Sequence, residues 1–396
     1  MLSTLLENSS IYISSVSIKH KRYFYDAIKT TDKLIGIVGA RGVGKTTYIL
    51  NYLKKLDLPI NKKLYMSIDN IILSDTTLLD IAKEFSAKGG KILAIDEIHK
   101  YKHFEIELKQ IYDMLNIQVI FSGSSAIELE HSLADLSRRA VLYRVQGMSY
   151  REFLEFKLDI SLQSYNLENI LINHSNIGFN IKQKLNPLEF WSEYLKSGYY
   201  PFYFSDPQRY PIKLNATINT AIETDIPSIF KIKYENITNL KKLITLICSS
   251  VPFKLNIKEL SGKIGIDRDT LYLYLDYLDR GRILNVIRSK SKGDNIFAKP
   301  DKIYLNNPNL NYNYCQESPI GTIRETIFTT LIKPFFTLEI PKKGDFLVEN
   351  KYTFEIGGKN KSFKQIKDLP NSFVVFDDIE IGFGNKIPLW LFGFLY

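Results

Sequence analysis

The chain has 396 residues, 45% apolar and 24% charged, which fits a soluble globular protein and excludes an intrinsically disordered one. Its 52 Lys and Arg against 43 Asp and Glu give a net charge of +9, which permits DNA or another polyanion as partner and equally a lysine-rich surface with no such partner. The length exceeds one ordinary core and predicts two or three domains.

Residues 1–30 read as a polar helical leader, with "KRYFYDAI" as its most regular part. Its first residues, "MLSTLLENSSIYISSVSIKHKRYF", lack a positive segment followed by a continuous apolar core, so no signal peptide is expected. No run of about 18 apolar residues occurs anywhere, so no membrane span is expected and a cytoplasmic location is the default. The first strand is "KLIGIV", an apolar run of the buried parallel type, leading into the glycine-rich "GARGVGKTT" and a helix at "KTTYILNYLKKL". Further strands are expected at "KLYMSID", "KILAID" and "IQVIFSG", with helical patterns between them, as a parallel α/β sheet over 31–147 requires.

Residues 148–235 change to an aromatic-rich helical linker or lid with the turn "SGYYP", and 161–186 read as a polar surface insertion. Over 236–300 the order is two helices, a third over "DRDTLYLYLDYLDRGR" with Asp267 as N-cap and Leu271, Leu275 and Leu278 in one stripe, then a β-type pair. That is the order of a winged helix-turn-helix. Cys248 and Cys315 are the two cysteines; they lack a CxxC or Cys/His cluster, so neither a zinc site nor a disulfide framework is expected. Residues 301–396 read as mixed α/β, with a helix at "GTIRETIFTTLI", strands at "DFLVE", "YTFEIG" and "SFVVFD", and an aromatic end.

The chemistry concentrates in residues 39–47. Gly39, Gly42 and Gly44 turn the backbone so that the N–H groups of Ala40, Arg41, Val43 and their neighbours face a phosphate. Lys45 supplies a point charge to the β and γ oxygens, the Thr46 hydroxyl suits Mg2+, and Thr47 continues the helix whose dipole adds to the site. "KILAIDEIHK" ends a strand in Asp96, suited to hold Mg2+, and Glu97, the candidate base for an attacking water. Ser122 or Ser124 of "VIFSGSS" would stand near the γ-phosphate. In "DLSRRA", Arg138 or Arg139 could reach a neighbouring protomer as a finger, which requires a homo-oligomer. No NKxD-type motif is present, so ATP is expected over GTP.

Taken together, "GARGVGKTT", "LAIDEIHK", "FSGSS", "DLSRRA" and "MSYREFLEF" resemble a family of prokaryotic AAA+ (P-loop, ASCE-type) ATPases. "EYLKSGYYP" and "KIYLNNPNL" are similar to later motifs of that family, whose uncharacterised C-terminal domain resembles the PD-(D/E)xK nuclease fold. The resemblance implies ATP and Mg2+ at residues 39–47 and Asp96, Glu97 as catalytic base and Arg139 as the finger. It also implies a second site. Asp345 and Glu355 fit the two carboxylates of such a nuclease and Glu325 a third, but Gly357 stands where the lysine belongs. Lys359 lies one strand repeat further, roughly 6–7 Å on. A degenerate fold used for binding is therefore expected ahead of active cutting.

The third helix of the winged segment carries Asp267, Asp269, Asp276 and Asp279 against Arg268 and Arg280, which disfavours phosphate attraction; DNA contact and an internal or protein-contact role stay open. The expectation is thus an AAA+ ATP-hydrolysing switch serving nucleic-acid handling or defence. The alternatives are a nucleotide-dependent scaffold or signalling protein that binds an unidentified partner without turnover, and an ATP-gated nuclease.

Overall fold

A computed structural model describes residues 1–68, 76–123, 136, 138–248, 256–288, 300–358 and 360–396. Leu34–Gly39 (β1) is buried along its whole length, as its unbroken apolar run demands. Parallel pairing joins it to Lys63–Ser67 (β2), Ile92–Asp96 (β3), Gln118–Gly123 (β4) and Ala140–Val145 (β5) in the order β2-β3-β4-β1-β5. Ile37 pairs with Ser122 and Ile95 with Phe121, so the carboxyl ends of β1, β3 and β4 lie together. That end of a parallel sheet is where ligand-binding loops collect.

Four strands match the sequence expectation, and β5 was not foreseen. It is an edge strand whose residues are half-buried or exposed up to the buried Val145. The leader also differs. Its regular part is Leu2–Ser15, whose Leu2, Leu5 and Ile13 are buried, whereas "KRYFYDAI" holds one short turn, Phe24–Ala27. Leu2 and Leu5 belong to the same core as Leu34, Leu64 and Leu93.

The described chain divides into two compact units, Met1–Gln146 with Thr224–Lys231, and Gly147–Glu223 with Ile232–Tyr396. In the second unit, Tyr150 of helix Tyr150–Leu158 packs its ring against Trp191, Tyr194 and Phe394. The early helices and the aromatic C-terminal segment therefore share a core. The stretch read as a surface insertion contains helix Leu167–Lys182, with Leu167, Ile170, Leu171, Ile177 and Ile181 buried. Its polar residues conceal a stripe at helical spacing, which corrects that expectation.

Helices Ile237–Cys248, Ile257–Ile264 and Arg268–Arg280 lead to an antiparallel pair, Leu284–Ile287 (β6) and Lys302–Leu305 (β7). Helix Ile320–Ile332 then precedes a mixed sheet of Leu338–Glu339 (β8), Phe346–Val348 (β9), Tyr352–Gly357 (β10), Ser372–Phe376 (β11) and Lys386–Pro388 (β12). Its order is β8-β9-β10-β11-β12, antiparallel up to β10 and parallel beyond it. Phe328 of the helix closes the interior against Phe346, Phe354 and Phe392.

Cys248 and Cys315 form a disulfide with Cα atoms 5.1 Å apart, correcting the expectation of no disulfide. Their separation of 67 residues leaves no local spacing signal. The ends of two helices, Ile237–Cys248 and Pro308–Tyr314, bring them together.

Helix Tyr150–Leu158 starts from a buried capping box in which Ser149 accepts from the Glu152 N–H and Glu152 accepts from the Ser149 N–H. The Ser149 hydroxyl also donates to the Tyr396 carbonyl at 2.8 Å. Ser149→Ala is expected to destabilise the protein by about 1–2 kcal/mol. A urea titration should show a lower midpoint with an unchanged slope.

Candidate functional site

Between β1 and helix Lys45–Lys55 the backbone takes left-handed turns at Gly42 (φ 83°) and Gly44 (φ 99°), conformations a side chain would strain. Lys45 is buried and its Nζ donates to the carbonyls of Gly39 and Ala40, each at 2.9 Å. Burial pulls its pKa below the ordinary lysine value, while Glu97 and Asp96 pull the other way. From the leader, Arg22 donates to the Val43 carbonyl at 2.6 Å and the Gln146 carbonyl at 3.0 Å, bracing the loop from behind.

Asp96 ends β3 with its carboxylate buried and held by hydroxyls. Oδ2 accepts from Thr46 at 2.6 Å and Tyr65 at 2.9 Å, and Oδ1 accepts from Ser122. Glu97 follows in the left-handed region (φ 57°), an uncommon place for a glutamate and of the kind that gathers at functional sites. Its buried Oε2 lies 3.6 Å from His99 Nε2 and 3.8 Å from Arg41 Nη1 and accepts no hydrogen bond from the described residues. Burial lowers the pKa of His99, with Glu97 opposing. Arg41 Nη1 meets both carboxylate oxygens of Asp225, at 3.1 and 3.3 Å.

The structure thus gathers Lys45, Thr46, Asp96, Glu97 and Ser122 at one end of the sheet. Ser124 lies outside the described residues. Arg139 stands at the start of β5 and is engaged within its own unit, bonded to both oxygens of Asp113 at 2.9 and 3.0 Å and stacked over Tyr112. Sequence reasoning passed over Arg22, Tyr65, His99 and Asp225. His99 stood in plain view two residues after Glu97; the others carry no local signal.

The second group of residues, in the C-terminal sheet, is also brought together. Lys302 donates to Glu325 at 2.9 Å and approaches Asp345 at 3.8 Å, and Tyr304 donates to Glu325. Lys361 lies 2.8 Å from Glu355 and 3.6 Å from Asp345, whose Oδ2 also accepts from the Ile356 N–H at 2.8 Å. Burial raises the pKa of Glu355 against the Lys361 bond. On Lys361 burial opposes the charge, but the Glu355 bond and Asp345 outweigh it and raise the pKa. Lys359 lies outside the described residues. Among them, no three His, Cys, Asp or Glu side chains are arranged to hold a metal ion.

A family model described as an AAA domain matches residues 31–154, the stretch that holds the glycine loop, Asp96 and Glu97. Over this stretch, most of which lies in the first unit, the chain is similar to an AAA domain. Residues 188–314 match a domain of unknown function, DUF8612. The uncharacterized protein MJ1637 of Methanocaldococcus jannaschii is 27% identical over 402 residues, covering 91% of this chain and 85% of its relative. Among solved structures, the Hsp104–ADP complex of S. cerevisiae is 17% identical with a TM-score of 0.35, and the match covers 70% of this chain and 41% of that one. PCH-2 of C. elegans is 17% identical with a TM-score of 0.24, the match covering 40% of this chain and 45% of that one. The chain spans less than half the length of either, and these distant likenesses add nothing to the AAA match. No helix among the described residues is long and apolar enough to cross a membrane.

Proposed function

We propose that this protein is an AAA+-type ATPase that hydrolyses ATP to ADP and phosphate as a conformational switch. The observation that carries this is the 2.6 Å bond between the Thr46 hydroxyl and Asp96, with Glu97 next to it at the mouth of the glycine loop. A hydroxyl and a carboxylate in contact are the donor set Mg2+ takes beside phosphate oxygens and water. Thr46 and Asp96 would hold it, and its chemistry when bound is to neutralise charge on the phosphates. Lys45 and the loop N–H groups hold the phosphates, and helix Lys45–Lys55 adds its positive end. Oε2 of Glu97 accepts no hydrogen bond from the described residues, although His99 lies 3.6 Å and Arg41 3.8 Å away, and it is the oxygen that would accept a proton from water. Phosphate release from ATP by wild type and by Glu97→Gln tests this; equally slow proteins would defeat it in favour of a scaffold or signalling role.

Arg139 as a finger acting in a homo-oligomer belongs to the same proposal. It requires Arg139 to exchange Asp113 for a phosphate on a neighbour, an exchange eased by the exposure of Asp113 and the half-burial of Arg139. The helix order and the β6–β7 pair support a winged helix-turn-helix over 236–300. Within it, Asp276 pairs with Arg280 and Asp279 with Lys333, so two of the four acidic residues serve packing inside the unit. This favours an internal or protein-contact role over DNA docking. A cytoplasmic setting and a task in nucleic-acid handling or defence complete the proposal.

The topology of the C-terminal sheet supports a nuclease-like fold, and Gly357 at the strand position where the lysine belongs supports a degenerate one, while Lys361, 2.8 Å from Glu355 and 3.6 Å from Asp345, supports the ATP-gated nuclease as the alternative. Incubation of the full chain with plasmid, Mg2+ and ATP is expected to leave the DNA intact. Cutting that disappears in both Asp345→Ala and Glu355→Ala would instead establish the ATP-gated nuclease.

A further inference from the structure

Arg41 has no task in the scheme above, although it stands inside the glycine loop. Its Nη1 is held by both oxygens of Asp225, and the Asp225 side chain is 4% exposed while that of Arg41 is 30% exposed. The same nitrogen is 3.8 Å from the Glu97 carboxylate. Asp225 belongs to Thr224–Lys231, a short segment that is part of the first unit although the chain on both sides of it belongs to the second. It ends a π-helical turn, Ala221–Asp225, and leads into Ile226–Phe230, where Ile226, Pro227 and Ile229 are buried. Single π turns are rare and frequent at functional sites.

We propose that Arg41 and Asp225 form a nucleotide-responsive latch: Asp225 holds Arg41, and phosphate oxygens entering the loop draw Arg41 away. This rests on ATP occupying residues 39–47. A guanidinium prefers phosphate, with several anionic oxygens in a geometry that matches its fork, over one carboxylate. Moving Arg41 also relieves its pull on Glu97 and leaves that carboxylate to the water. Asp225 is a positioning residue in this scheme, acting through Arg41. When the ion pair breaks, a buried carboxylate loses part of its compensation, and the turn around it must loosen or repack. Nucleotide occupancy is thereby reported to the one short segment where the chain re-enters the first unit. Asp225 also lies in the field of Lys45 and His99, so its charge belongs to the electrostatics of the loop.

The test is amide hydrogen exchange of the peptide spanning residues 221–231 in the full chain, with and without AMPPNP and Mg2+, alongside titration with a fluorescent ATP analogue. In wild type, exchange there should rise several-fold on AMPPNP addition. In Asp225→Asn it should be fast from the start and indifferent to AMPPNP, and the nucleotide should bind about 10-fold tighter because its competitor for Arg41 is gone. Asp225→Glu should restore the wild-type pattern, which a role in mere packing would not. The latch is overturned if wild type binds the analogue while exchange over 221–231 is unchanged, a comparison that stands even if Asp225→Asn does not fold. If wild type binds no analogue at all, the ATP site itself has failed and the latch falls with it, an outcome told apart by the titration alone.

Discussion

Glu97→Gln should lower ATP turnover by roughly 100-fold or more while leaving nucleotide binding intact. The amide keeps the size and shape of the side chain and loses the basicity. The left-handed backbone at φ 57° comes from the turn into Ile98–Lys100 and not from the carboxylate, so the geometry should persist. A loss of 100-fold corresponds to about 2.7 kcal/mol of transition-state stabilisation. Because Lys45, Thr46 and Asp96 are untouched, the fluorescent ATP analogue should bind within a factor of a few of wild type. Steady-state phosphate release and a binding titration on the same preparation separate the two effects. A variant that turns over ATP at the wild-type rate would remove Glu97 as the base.

The Cys248–Cys315 bond should contribute about 4 kcal/mol to the second unit, because it closes a loop of 67 residues in the unfolded chain. Cys248→Ser should therefore lower the denaturation midpoint of that unit markedly. Reductant should lower the wild-type midpoint to the same place and leave the variant unaffected. Reducing compartments keep most such bonds open, so the proposed cytoplasmic setting requires this one to resist reduction. Quantification of thiols in the native, non-reduced protein provides the check. Two free thiols, with a midpoint that ignores reductant, would show that the pair stays reduced.

The parts of the site that were legible in the sequence are those fixed by local chemistry. "IVGARGVGKTTY" announces strand, turn and helix within a dozen residues, because a glycine loop must follow a buried strand and precede a helix N-terminus. "LAIDEIHK" shows its two carboxylates by the same logic. Local pattern fails where a residue's partner is distant. Asp225 has no cue that it meets Arg41, and Cys248 none that it meets Cys315. At the second site the strand pattern points to Lys359, whereas Lys361 reaches Glu355 after a turn in which its N–H donates to the Gly358 carbonyl. Strand β5 is a different case: the apolar run over 140–143 directly follows the charged pair Arg138 and Arg139, with no Gly or Pro to mark where a strand begins.

The first unit is expected to hydrolyse ATP at residues 39–47 with Asp96 and Glu97. The direct measurement is steady-state phosphate release by the full chain with Mg2+ and ATP, with Lys45→Ala as the blank. Saturable release by wild type, absent from Lys45→Ala and weaker with GTP, is the predicted result. Release by wild type no faster than by Lys45→Ala would contradict it.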